Sequence, residues 1–376
     1  MSPPKVLLTG ATGYIGGTIL NQLMASEAES LRDLTISLLV RGEDRAAKLK
    51  DKYGDRIVCI LFKNFDETSF ITEIASQHDI GVNAACGFHP PGAEAMVRGL
   101  GLRKATTGRP TWMIHTSGCS NISDRPLTGT AHSDREWDDA DAEAVYEFEK
   151  AENAREWYPQ RASELLVLDT SLEVGVDAFS IQVSSVYGTG EGLFQGAALM
   201  IPIMTDYVLA RGHGFALGEG TGIISYVHVS ELAALYVLCV RRVVEDGGRE
   251  LPRGRAGIVF PTNGRTTMRD IARRCVDTAF EAGVLPRNGE GPWDREVRTV
   301  DLDEAATTTA GNRVVAEVGW AGHRLTRGTV ARKLGWEPTR GAEAWAKDFR
   351  DELRAVLDGK RGVTIGNCIN EATGDP

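Results

Sequence analysis

Val6-Leu7-Leu8-Thr9-Gly10-Ala11-Thr12-Gly13-Tyr14-Ile15-Gly16-Gly17 is the stretch whose reading decides the fold. A short apolar run ends in glycines at 10, 13 and 16, and helical apolar spacing follows from Ile15 to Met24. Gly10 lets the chain turn tightly, Gly13 lets the backbone approach a pyrophosphate, and Gly16 lets helix and strand pack closely. The helix N-terminus then offers unpaired N–H groups and a partial positive charge. Glycine is also an ordinary turn residue. The coincidence of strand, triplet and helix is the context that favours a dinucleotide cradle. Its expected lining is Gly10, Thr12, Gly13, Tyr14 and Ile15.

Working outward, apolar runs recur at 34–40, 57–62, 80–85 and 111–115, with helix-patterned segments at 67–77 and 93–107. Strand and helix in alternation predict βαβ units and a parallel sheet buried on both faces. Residues 141–157 read as an acidic helix, solvated around Glu143, Glu147, Glu149 and Glu152. Pro159 restarts a helix that Gly175 stops, and Phe179–Val183 is the next strand. After Gly188 the texture turns glycine-rich. Tyr226–Val229 and the helix after it read as a strand and helix returning to the sheet. The expected division is a dinucleotide domain, 1–188 plus 223–245, a substrate lobe, 189–222 plus 246–360, and a loose tail, 361–376. The second strand ends in Val40-Arg41-Gly42, with Arg45 and Lys48 nearby. No acid stands there to accept ribose hydroxyl protons, and a guanidinium fork matches a 2′-phosphate, so NADP(H) is expected over NAD(H).

Composition narrows the functions. The 376 residues are 42% hydrophobic and 25% charged, a globular balance of two-domain size. The formal net charge of −10 opposes nucleic acids and anionic membranes as partners. The six cysteines form no C-x-x-C pair, and the seven histidines form no H-x-x-H, so no metal is expected. No apolar run reaches a membrane-spanning length of ~18 residues. A cytoplasmic protein with a small-molecule substrate is expected. A homodimer stays open.

Further motifs run in order along the chain. They are Asn83-Ala84-Ala85, Ile114-His115-Thr116-Ser117-Gly118, Val186-Tyr187-Gly188, Tyr226-Val227-His228-Val229-Ser230-Glu231-Leu232-Ala233 and Arg332-Lys333-Leu334-Gly335-Trp336-Glu337-Pro338. With the opening T-G-x-x-G-x-x-G they resemble the extended short-chain dehydrogenases/reductases, the epimerase, dehydratase and dihydroflavonol-reductase-like branch. The segments around Ser117 and Tyr158 further resemble a fungal subgroup. The resemblance implies an α/β fold, a Rossmann-type doubly wound parallel sheet with a smaller C-terminal substrate-binding lobe. It adds Asn64, Phe65, Ala84, Ala85, Tyr158 and Val186 to the cofactor contacts.

The family's chemistry needs a tyrosine as proton donor, a serine or threonine beside it, and a lysine four residues on. Two tyrosines compete. Tyr146 satisfies Y-x-x-x-K with Lys150 but lies among acids. Tyr158 precedes the helix leading into the sixth strand, with Arg161 nearby and Ala162 at the lysine position. Tyr158 and Arg161 are preferred on context. Ser117 is the expected serine, with Thr116 and Ser120 as alternates; the family's serine often falls where this chain has Gly118. His89 beyond the fourth strand is weighed as an acid or base against a plain loop residue. The resemblance implies NADPH-dependent reduction of a carbonyl or conjugated C=O/C=N group of a small metabolite. A redox-neutral epimerase, dehydratase or cyclase, and a non-catalytic NADP-binding regulator, are the alternatives.

Overall fold

The computed structural model describes residues 3–85, 87–285 and 295–360. Seven parallel strands form the central sheet. The first five are β1 (Val6–Thr9), β2 (Ile36–Val40), β3 (Ile57–Leu61), β4 (Ile80–Asn83) and β5 (Trp112–Gly118). Across the sheet the order is Ile258–Val259, Asp177–Val183, β5, β4, β1, β2, β3. The order reverses between β1 and β4, and an open α/β sheet binds ligands at the carboxyl ends beside such a reversal. The registers Thr9↔Leu39 and Thr9↔Asn83 bring β1, β2 and β4 out along one edge.

Both faces are covered. Leu8 packs with Ile19, Leu20 and Leu23 of α1 (Tyr14–Ala25) and with Leu232, Leu235 and Tyr236 of the helix Val229–Asp246. Leu7 and Met113 face Met96, Leu100 and Val167, from the helices Pro90–Thr107 and Pro159–Val174. A second core gathers Phe215, Tyr226, Ile271, Trp320, Trp345 and Phe349. There Tyr226 and Trp345 stack with centroids 4.4 Å apart.

Two readings of the chain change. The strand Ile223–His228 does not return to the central sheet. It pairs with Ser185–Tyr187 and Gly264–Thr267 in a separate three-stranded sheet, and only the following helix packs back. The seventh central strand, Ile258–Val259, comes instead from the segment read as substrate lobe. Two residues carry no periodicity, so no pattern announced it. The tail read as loose, 361–376, lies outside the described residues.

Candidate active site

The glycine turn is shaped by contacts on one side and space on the other. Gly10 has φ +78°, and a Cβ there would stand 2.5 Å from the Ala84 carbonyl oxygen. A Cβ on Gly16 would stand 2.2 Å from the Gly10 oxygen. A Cβ on Gly13 would meet only the Gly10 oxygen, at 3.3 Å. The outer side of Gly13 is therefore clear. No side chain caps α1, whose N-cap is Gly13, and no acid lies in its first turn. Clear space before uncapped N–H groups fits a pyrophosphate.

Thr12 and Ile15 are half-buried around this turn. The Tyr14 hydroxyl is committed elsewhere: it donates to the Gly188 carbonyl at 2.5 Å, tying the cradle to the segment after Val186. Arg41 is half-buried directly after β2. Asn64 accepts the Asp66 N–H through Oδ1 at 3.0 Å, and Phe65 is buried edge-on to Phe62. Ala84 and Ala85 follow β4 beside Gly10, and Val186 is half-buried.

Below this edge the strand ends are tied together. Thr9 donates to Asn83 Oδ1 at 2.8 Å, and Asn83 Nδ2 donates to His115 Nδ1 at 3.0 Å. Burial pulls the His115 imidazole down to about 3, so the ring stays neutral and can accept.

From the cradle the contacts lead to Tyr158. After Ala85, the Gly87 turn runs beside the Thr116 carbonyl and the Gln160 amide. The Phe88 ring meets the Tyr158 ring edge-on at 6.0 Å. Tyr158 is the N-cap residue of the helix Pro159–Val174 and is 6% exposed. Its hydroxyl donates to Ser120 Oγ at 3.2 Å, and the Ser120 hydroxyl donates to Gln160 Oε1. A 280 Å³ cavity opens here, lined by Ser120, Tyr158, Ser123, Arg155, Arg161 and Val318 among others. A larger hollow of 650 Å³ near Asn263 and Arg327 includes none of these groups.

The serine in reach of Tyr158 is thus Ser120, not Ser117. Ser117 donates to Glu164 at 2.9 Å and accepts from Asn121 at 3.0 Å. Thr116 bonds the Tyr236 hydroxyl at 2.6 Å. The short 3₁₀ turn Cys119–Ile122 carries Ser120 to Tyr158, a step strand periodicity does not reveal.

Tyr146 lies elsewhere. It is fully buried, and its hydroxyl donates to Asp169 at 2.5 Å. Burial, then the Asp169 hydrogen bond, push its phenol up to about 12. Lys150 sits over its ring at 5.5 Å. Arg161 is 7% exposed. Its Nε donates to the Asn121 carbonyl at 2.9 Å and its Nη1 to the Glu156 carbonyl at 3.4 Å, bracing the Ser120 turn. His89 caps a helix: Nδ1 accepts the Gly92 N–H at 2.9 Å, so the proton is on Nε2, which faces Asp66 at 2.8 Å. Both ring nitrogens are engaged.

One buried pair escaped the sequence reading. Glu149, read as part of a solvated face, is fully buried with Glu164. Gln182 Nε2 donates to both, and Asn121 donates to Glu164. Burial raises both carboxyls, and the neighbouring carboxyl raises Glu149 further, so the pair retains a proton.

No family profile matches the chain. Oxidase ucsJ of Acremonium sp. is 26% identical over 352 residues, 89% of this chain and 92% of that protein. An uncharacterized protein of Saccharomyces cerevisiae is 25% identical over 281 residues, 72% of this chain and 78% of its own length. Among solved structures, a dTDP-glucose 4,6-dehydratase from Streptomyces venezuelae with NAD bound has a TM-score of 0.61 at 16% identity, covering 95% of this chain and 98% of that one. A UDP-N-acetylglucosamine 4-epimerase from Methanobrevibacter ruminantium has a TM-score of 0.56 at 15% identity, covering 96% and 100%. An engineered reductase has 0.58 at 13%, covering 94% and 99%. The chain therefore has the fold of the extended short-chain dehydrogenases/reductases. Among the described residues, no helix is long and apolar enough to cross a membrane.

Proposed function

We propose that the chain is an NADP(H)-dependent oxidoreductase of the extended short-chain dehydrogenase/reductase type, reducing a carbonyl or conjugated C=O/C=N group of a small metabolite. The observation that carries this reading is an uncapped glycine cradle and the Tyr158–Ser120 hydrogen bond, both at the carboxyl ends of the central strands. Gly10, Gly13 and the first turn of α1 would hold the pyrophosphate. Arg41 would take a 2′-phosphate, the feature that favours NADP(H) although some fold neighbours carry NAD. When bound, the nicotinamide supplies or accepts hydride. Tyr158 holds the proton that the new alkoxide needs, and Ser120 holds the phenol in place. In the opposite direction the deprotonated Tyr158 oxygen would accept the alcohol's proton, consistent with the oxidase name of one relative.

The test is NADPH consumption by the purified protein against a panel of ketones, enones and imines, repeated with Tyr158→Phe. Turnover that falls ~10²-fold or more without loss of NADPH binding is expected, the scale of losing a general acid. Wild-type turnover left unchanged in Tyr158→Phe refutes the assignment. The dehydratase and epimerase neighbours keep a redox-neutral reading in view. It requires substrate conversion, read by mass spectrometry, with no net NADPH change.

A further inference from the structure

We propose that Gln160 is the positioning residue of this site, fixing the direction of the Tyr158–Ser120 hydrogen bond. The inference rests on the reading of Tyr158 and Ser120 just given. Gln160 lies in the first turn of the helix that Tyr158 caps, and its amide reaches back over the sheet edge. A Cβ on Gly118 would stand 2.8 Å from Gln160 Oε1 and 2.9 Å from Nε2, and one on Gly87 would stand 3.7 Å from Nε2. The amide thus fills space that Gly118 leaves open and runs in ordinary contact beside Gly87, and any side chain at 118 would compete for it.

Its acceptor oxygen takes the only hydrogen of the Ser120 hydroxyl. Ser120 can then only accept from Tyr158, and Tyr158 donates to it. The order runs Tyr158 to Ser120 to Gln160, each hydroxyl giving its proton forward. Such a chain keeps the hydrogen on the phenol, because Ser120 has none left to offer a phenolate. An amide does not titrate in the working range, so the arrangement holds across pH. The position where a lysine would follow Tyr158 by four residues is Ala162. The charges around Tyr158 include the Arg161 guanidinium, 5.7 Å from its ring, the buried Arg324, and the Asp124, Arg125, His132, Glu152, Arg155 and Glu156 side chains that line the same cavity. The Phe88 ring contributes no charge.

The test needs neither cofactor nor substrate, so it fails separately from the oxidoreductase reading. Tyrosine labelled with a carbon isotope at Cζ is incorporated, and the Tyr158 resonance is assigned by its loss in Tyr158→Phe. Its titration is followed in the wild type, Gln160→Ala, Ser120→Ala and the double variant. Gln160→Ala frees the Ser120 hydrogen to bond a phenolate and should move the Tyr158 midpoint down by about one pH unit. In the Ser120→Ala background the same change should move nothing. Gly118→Ala, whose Cβ pushes the amide aside, should reproduce the shift and covers the case in which Gln160→Ala misfolds. A midpoint unmoved in both Gln160→Ala and Gly118→Ala, or moved equally without Ser120, overturns the proposal.

Discussion

Gly13 and Gly16 are both cradle glycines, yet the structure assigns them opposite consequences. Gly16→Ala places a Cβ 2.2 Å from the Gly10 carbonyl oxygen, well inside van der Waals contact. Overpacking against backbone costs roughly 1–3 kcal/mol or more. The ~1 kcal/mol that alanine gains over glycine in a helix offsets only part of it. Gly13→Val meets the same oxygen at 3.3 Å, where a few tenths of an ångström of movement suffice. Its cost to the fold should stay near 1 kcal/mol, while its methyls enter the clear space before α1. The assay is thermal melting with and without NADPH. At a hundredfold excess over its Kd, a ligand stabilises by about 2.7 kcal/mol. For 376 residues, at ~2.1 cal/mol/K of unfolding entropy per residue, that is a rise of roughly 3–4 °C. The wild type should show the rise; Gly13→Val should melt within a few degrees of the ligand-free wild type and show none. Gly16→Ala should melt lower before any ligand is added. A full NADPH shift in Gly13→Val would place the cofactor elsewhere and remove the argument built on the cradle.

Three other outcomes follow from the geometry. Arg41→Asp should reverse a preference for NADP(H) over NAD(H), measured by calorimetry; equal wild-type affinities would remove the role given to Arg41. Tyr146→Phe should leave turnover intact and cost about 1 kcal/mol of stability through the lost Asp169 hydrogen bond, read by denaturant unfolding. Asp348, held up to about 7 chiefly by burial, keeps a proton in the folded chain that the unfolded chain releases near pH ~4. Its contribution is present below pH ~4 and lost as pH rises toward 7. Asp348→Asn should therefore gain stability relative to the wild type across that window, by up to about 1.4 kcal/mol per pH unit; a constant difference between the two would refute the protonated carboxyl.

The parts of the fold legible in the sequence are those that local pattern encodes. The Gly10–Gly16 spacing was legible because Gly13 and Gly16 answer contacts with Gly10 inside one strand–helix unit, whereas the Ala84 carbonyl that faces Gly10 comes from the end of β4 and left no local mark. Strands β1, β2, β4 and β5 are buried along nearly their whole length and announced themselves as apolar runs. Ile258–Val259 is too short for any run, and Ile223–His228 has the same texture as a central strand while pairing elsewhere. Pairing partners follow from tertiary register, which periodicity does not carry.

The candidate catalytic side chains were harder for a different reason. Ser117 lies near the end of its strand facing the helix Pro159–Val174, and nothing in the strand's pattern announces the buried Glu164 that takes its hydroxyl. Glu149 looked solvated because every acid around it is charged in sequence; only the facing Gln182 and Glu164 show that this acid turns inward. Gly118 stood where the family's serine often falls, and Gln160 read only as part of the resembling stretch around Tyr158, with no role of its own. Together they form one unit: the missing side chain at 118 is the space in which the amide at 160 lies. Neither residue has a meaning alone, since what links them is volume shared across 42 positions of chain rather than any spacing. A substitution at either one should therefore be judged by what it does to the other.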